Sequence, residues 1–246
     1  MLARVAENVY WLARYFERAE NTARLVDVNS NMLLDLPAGY QPGWLPLIDI
    51  TGSRERFNRR GGCDEEREIV HFLIADIDNP GSILASIHAA RENARALREI
   101  LPTGVWEHLN QRFLEITEEL PGALNKPTRF QFLQRIVRGM QTLAGQLEGT
   151  MSRNDAYTLL MLGRNLERAD MTSRISDVRS AQLPSAGAPE LRPYDAIQWM
   201  SVLKSLSGYQ MYRLSRRARV TRPAVLEFVL RDRQFPRACL FCLLEV

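Results

Sequence analysis

The 246 residues carry 32 lysines and arginines against 29 acids, and a net charge of only +3 argues against a dedicated nucleic-acid binder, which concentrates a basic excess on one face. Hydrophobic residues at 46% and charged residues at 25% are ordinary globular proportions, and no stretch is apolar enough to span a membrane. Cys63, Cys239 and Cys242 exclude a disulfide framework, and the opening Met-Leu-Ala-Arg-Val-Ala-Glu lacks the apolar core of a signal peptide, so a soluble cytoplasmic protein is expected.

Residues 3–36 read as one helix with Val5, Val9, Leu12, Phe16, Ala19, Ala23 and Val26 on one side and Glu7, Arg14, Arg18 and Asn21 opposite. Pro37 stops it. Residues 37–62, rich in Pro and Gly, form the longest irregular connection, with a short helix at Trp44 to Ile50. A helix over 64–77 leads to Asn79-Pro80, where the asparagine caps a helix that runs to Leu101 and ends at Pro102. Further helices cover 105–120, ending before Pro121-Gly122, then 128–148 capped by Thr128, and a long one from Ser152. Pro184, Pro189 and Pro193 mark the next connection, followed by a helix over 194–217 and a short one from Pro223. No alternation of period two appears, so the fold class is all-α.

The segment Arg14-Tyr-Phe-Glu-Arg-Ala-Glu-Asn-Thr-Ala-Arg24 recurs as Arg164-Asn-Leu-Glu-Arg-Ala-Asp-Met-Thr-Ser-Arg174, a shift of 150 (164 minus 14). Trp44 matches Trp199 at 155 (199 minus 44), and Phe72 through Pro80 match Phe228 through Pro236 at 156 (236 minus 80). Chance similarity does not preserve such order. The chain is an internal duplication, with a period too long for a solenoid. The expected architecture is a single helical domain over 1–246, a bundle of two halves with pseudo-two-fold symmetry. Repeat 1 covers about 1–125 and repeat 2 about 126–246, the second incomplete at the C-terminus.

Arg14, Glu17 and Arg18 stand at i, i+3 and i+4 on one helix face, and Arg164, Glu167 and Arg168 repeat the spacing. If equivalent helices face each other, Glu17 meets Arg164 or Arg168 and Glu167 meets Arg14 or Arg18, leaving four arginines against two glutamates. A structural salt-bridge lock is one reading. An anion site for a carboxylate, a phosphate or a peptide C-terminus is the other. Arg91, Asn93 and Arg95 are secondary candidates for the same cluster. Cys239-x-x-Cys242 matches Ile83 and Ser86 of the first half, which favours buried thiols over metal ligands. Glu68-x-x-His71 lacks the second such motif that a di-iron bundle needs, His71 being matched by Glu227, and His88 and His108 have no triad partners, so neither metal nor cofactor is expected. The basic run Arg213, Arg216, Arg217, Arg219 and Arg222 reads either as a solvated helix end or as a site for phosphate or an acidic partner surface.

The opening Ala6-Glu-Asn-Val-Tyr-Trp-Leu-Ala-Arg-Tyr-Phe-Glu-Arg-Ala-Glu-Asn-Thr-Ala-Arg24 closely resembles that of the bacterial Alpha-E proteins, an α-helical family named for its Glu-Arg motif. Leu162 through Asp170, Asn79 through Ile83, Ala90 through Arg95 and Phe228 through Arg237 are similar to theirs as well. The resemblance implies an accessory or scaffold helical protein, associated with an ATP-grasp-type ligase and a transglutaminase-like protein in making or modifying peptides. An enzyme of that pathway, with Glu17 or Glu167 as acid or base on a carboxylate or phosphate substrate, and an anion-binding module without turnover are the alternatives. Family members extend further at the C-terminus, so this chain is expected to be truncated there. The apolar Leu240, Phe241, Leu243 and Leu244 would then be uncovered, favouring self-association.

Overall fold

The computed structural model of the protein describes residues 1–35, 43–182, 192–216 and 219–246. The predicted connections at Pro37, Pro184 and Pro189, and Arg217 of the basic run, lie outside the described residues. Among the described residues there are twelve helices and no strand. They are α1 (Ala3–Asp35), α2 (Leu45–Ile50), α3 (Arg54–Arg59), α4 (Glu66–Ile74), α5 (Ile83–Ala96), α6 (Thr103–Ala123), α7 (Lys126–Thr150), α8 (Asp155–Gln182), α9 (Arg192–Ser205), α10 (Tyr209–Arg216), α11 (Arg222–Arg231) and α12 (Cys239–Leu244).

Local chemistry corrects several predicted boundaries. Residues 37–62 are less irregular than their glycines and prolines suggest, because α2 and α3 occupy much of the described part. Helix α5 starts at Ile83, where Ser82 accepts the Ala85 amide, while Asn79 donates its side-chain amide to the Phe72 carbonyl and accepts from Gly81. Pro121 does not stop α6, which runs through it to Ala123. Thr128 does not cap α7 but donates to the Gly122 and Asn125 carbonyls. Asn154 caps α8, its side-chain oxygen accepting from Ala156 and Tyr157. The helix expected over 194–217 breaks into α9 and α10 at Ser207, whose φ of 54° is left-handed.

That break recurs at the matching place in the first half of the chain. Gly52, the matching residue at a shift of 155 (207 minus 52), has φ 66°. The amides of Gly52 and Ser53 reach Asp49 and Ile48, and those of Ser207 and Gly208 reach Lys204 and Leu203, the same bonds 155 residues on (204 minus 49). The 156-shifted segments repeat in the same way. The Asp76 carboxylate accepts the Asp78 amide as that of Asp232 accepts Gln234, and the Ser86 hydroxyl reaches the Pro80 carbonyl as the Cys242 thiol reaches Pro236. Helices α1 to α5 therefore correspond in order to α8 to α12, and α6 and α7 lie between the two sets.

The chain forms two compact units, and neither is one of the sequence halves. The first comprises Met1–Ala23, Val70–Glu167 and Glu245–Val246, and the second Arg24–Ile69 and Arg168–Leu244. Each unit takes a stretch of α1 and a stretch of α8. In the first, α6 lies between α5 and α7: Arg91 on α5 donates to Asn110 on α6, and Arg135 on α7 pairs with Glu119. In the second, Trp199 and Tyr212 are fully buried, and Phe228 stacks on Phe235 with ring centroids 4.7 Å apart.

Candidate functional site

Helix α1 is buried on more sides than its apolar stripe predicts. Val9, Leu12, Phe16, Ala19, Ala23 and Val26 are inside, but so are Glu17, Glu20, Asn21 and Thr22. Part of that supposed polar face meets α8, where Glu17 lies near Arg164, while the Thr22 hydroxyl reaches the Gly81 carbonyl instead. In the first unit the two helices approach so closely at Gly163 that a Cβ there would sit 2.4 Å from the Tyr10 carbonyl oxygen and 3.2 Å from the Ala13 methyl. Ala13 and Gly163 are equivalent residues of the two repeats (163 minus 13 is 150). Two small residues at the crossing let the helix backbones meet.

The Glu-Arg elements follow one turn later. Glu167, 2% exposed, accepts from Arg14 Nε at 2.5 Å, while Arg18 engages both of its oxygens, Nε at 2.7 Å and Nη2 at 3.0 Å. The Arg18 contact is the bidentate fork that makes guanidinium–carboxylate pairs strong and directional. In the reciprocal pair, Arg164 Nε lies 3.5 Å from Glu17, itself 0% exposed, and Arg164 Nη1 lies 3.7 Å from Glu148 on α7. Burial works against the charge on Arg14, but the Tyr10 hydroxyl at 2.8 Å and then Glu167 outweigh it and hold its pKa above the ordinary value.

The first unit thus brings together Arg14, Glu17, Arg18, Arg164 and Glu167. Arg168 belongs to the second unit, where its Nη1 lies 3.5 Å from the Pro236 carbonyl oxygen. Within the first unit Glu148 adds a further, largely exposed carboxylate near Arg164. The secondary candidates serve other contacts. Arg91 lies over the Trp106 and Phe113 rings and, with Arg95, pairs with Glu92, while Asn93 is half-buried on the same helix.

Residue spacing alone did not reveal Tyr10, Trp11 and Tyr15, whose rings flank the two arginines. Arg14 lies 5.7 Å and 5.6 Å from the ring centroids of Tyr10 and Trp11, and Arg18 lies 5.6 Å from that of Tyr15. The signal was available, since Tyr10–Arg14, Trp11–Tyr15 and Trp11–Arg14 are i, i+4 or i, i+3 pairs on one helix. Glu68 and His71 are both exposed on α4, and no group of three metal-binding side chains occurs among the described residues. Cys63 is exposed, Cys239 half-buried and Cys242 buried; burial pushes the Cys239 thiol above its ordinary pKa. At the C-terminus Leu243 and Leu244 are exposed, and Leu240 and Phe241 are half-buried.

No helix among the described residues is long and apolar enough to cross a membrane. No solved structure matches the chain. Uncharacterized proteins of Mycobacterium bovis and Mycobacterium tuberculosis are each 24% identical to it over 261 aligned positions, covering 97% of this chain and 28% of the relative. The chain therefore spans little more than a quarter of the length of these curated relatives. A family model described as a predicted alpha-helical domain with a conserved ER motif matches residues 1–246. With Glu17 and Glu167 each paired in its first unit to an arginine of the other repeat and the family match running from end to end, the chain belongs to the Alpha-E family.

Proposed function

We propose that the chain is a non-catalytic, accessory helical module of a cytoplasmic system that makes or modifies peptides, with an ATP-grasp-type ligase and a transglutaminase-like protein as its partners. The system and its partners come from the family resemblance. What carries the non-catalytic role is the direction of the Glu-Arg charges: the Glu167 carboxylate is enclosed by Arg14 and Arg18 and 98% shielded from solvent, the arrangement of a helix-crossing lock. An acid or base in catalysis needs an approach for substrate within hydrogen-bond reach. The pseudo-two-fold relation between the halves belongs to the same proposal, supported by the contact between the equivalent residues Ala13 and Gly163.

Co-expression with a ligase and a transglutaminase-like protein encoded beside the gene tests it. The wild-type chain is expected to elute with at least one of them as a stoichiometric complex on size exclusion. Elution of the chain free of both, at concentrations where it is folded, contradicts the proposal.

One observation favours a second reading, an anion-binding module. Arg164 holds its two carboxylates at 3.5 and 3.7 Å, longer than hydrogen-bonded ion pairs, and its Nε has no hydrogen-bond acceptor. Phosphate or a short acidic peptide seated there would raise the melting temperature in proportion to the logarithm of its concentration. Melting temperatures that do not move up to millimolar ligand exclude this reading.

A further inference from the structure

We propose that the second unit holds a buried site for a small monovalent anion of the chloride class, set between α1 and α8 at Asn29, Ser176 and Arg179. The two helices meet there at equivalent residues of the repeats (179 minus 29 is 150). One of the Arg179 bonds goes to Asn29, with Nη2 donating to Oδ1 at 3.0 Å. Ser176 stands one turn before Arg179 on the same side of α8. All three side chains are inside, Asn29 being 1%, Arg179 3% and Ser176 4% exposed.

Two buried polar groups beside that guanidinium, Asn29 Nδ2 and Ser176 Oγ, have no hydrogen-bond partner among the described residues. Arg179 takes the amide oxygen of Asn29, which leaves the NH2 end over, with two hydrogens to give. Ser176 departs from the habit of helical hydroxyls in this chain. Ser30, Thr117 and Thr142 each donate to the carbonyl four residues back, whereas Ser176 makes no such bond. Unmatched polar groups at this depth point to a bound water or ion. The donor set selects between them. Guanidinium and amide N–H groups only donate, and a hydroxyl can do the same, so one acceptor without hydrogens satisfies all three. A water would add two more hydrogens to a cluster already rich in them. Charge agrees with this choice, because burial pushes the Arg179 pKa down to about 10 and a single negative charge beside it offsets that penalty. Enclosure sets the size. A phosphate monoester or a peptide carboxylate trails a chain that must reach the surface, and side chains this enclosed leave no opening for it. The site does not use Arg164, which belongs to the first unit, and it needs no partner protein.

The test uses the full chain, with sodium chloride exchanged stepwise for sodium gluconate at constant ionic strength. The melting temperature is expected to climb by about 3 °C for each tenfold rise in chloride once the site is half filled, because an ion bound only by the folded state stabilises with the logarithm of its concentration. Asn29→Asp puts a carboxylate beside the guanidinium in place of the ion. That variant is expected to ignore chloride and to melt no lower than the wild type does in gluconate. Ser176→Ala removes one donor with little change of shape and is expected to weaken chloride about fivefold or more. In crystals soaked in bromide, the anomalous peak is expected within hydrogen-bond reach of Arg179 and Ser176. A wild-type melting temperature indifferent to chloride overturns the proposal, as does a chloride dependence that Asn29→Asp keeps in full. A water between the three side chains, with bromide found only at the surface, means an adventitious ion only and overturns it as well.

Discussion

Replacing Glu167 by glutamine keeps the shape of the side chain and removes the charge that Arg14 and Arg18 both meet. Breaking a buried pair from one side costs about 3–5 kcal/mol, and because both arginines keep some solvent contact the expected loss is about 3 kcal/mol. Glu119→Gln removes an equally short pair with Arg135, but on a surface where both partners are well exposed, and is expected to cost under about 1 kcal/mol. Urea denaturation of the two variants separates a lock from a surface pair; equal losses would show that burial of the Glu-Arg cluster has no energetic weight. His108 gives a pH signature at the same scale. Burial lowers its pKa from 6.5, and Arg112 adds to this, while the Gly139 carbonyl and Glu115 act in the other direction. Nε2 lies 2.9 Å from that carbonyl and so carries the proton, leaving Nδ1 to titrate. The folded state then binds fewer protons than the unfolded one just below pH 6.5. Stability is therefore level above 6.5, falls as the pH drops through it, and levels off beneath the folded value. Denaturation midpoints measured from about pH 7.5 down to about 5 should show that slope diminished in His108→Gln.

The crossing of α1 and α8 depends on an element-level feature that spacing rules do not reveal. Glycine inside a helix ordinarily costs about 1 kcal/mol relative to alanine, so Gly→Ala is normally stabilising. Gly145, exposed on α7 with open space around it, should follow that rule and gain about 0.5–1 kcal/mol. Gly163→Ala should reverse the sign, losing about 1–3 kcal/mol, because its methyl meets the rigid Tyr10 backbone rather than a flexible side chain. Thermal melts of the two variants suffice, and a stabilised Gly163→Ala would refute the close approach. The same contrast explains what was legible in the sequence. The apolar stripe of α1 and the duplicated Glu-Arg spacing followed from periodicity, which local sequence carries. Burial of Glu17 did not, because it faces Arg164 on a helix more than a hundred residues away. Pro121 and Thr128 misled because each has two structural uses, and tertiary contacts select between them. The break at Ser207 was missed although Gly208 follows it, because the left-handed position held by Gly52 in the first half is taken here by serine, one residue before the glycine.

At the scale of the whole molecule, the sequence repeats and the compact units do not coincide. Each unit contains a stretch of α1 and a stretch of α8, so each needs both halves of the sequence. Residues 1–125 and 126–246 expressed separately are therefore expected to lack a cooperative thermal transition, and their co-expression should restore one; a half that melts cooperatively alone would contradict this. The central claim is that the Glu-Arg motif of this Alpha-E chain is a lock between its two repeated helices, and a double-mutant cycle on Arg18 and Glu167 tests it most directly. Arg18→Met, Glu167→Gln and the double variant should show a coupling of about 1–3 kcal/mol, since the two side chains share a bidentate contact. Additive losses, with a coupling below about 0.5 kcal/mol, would mean that the two charges do not hold the helices together.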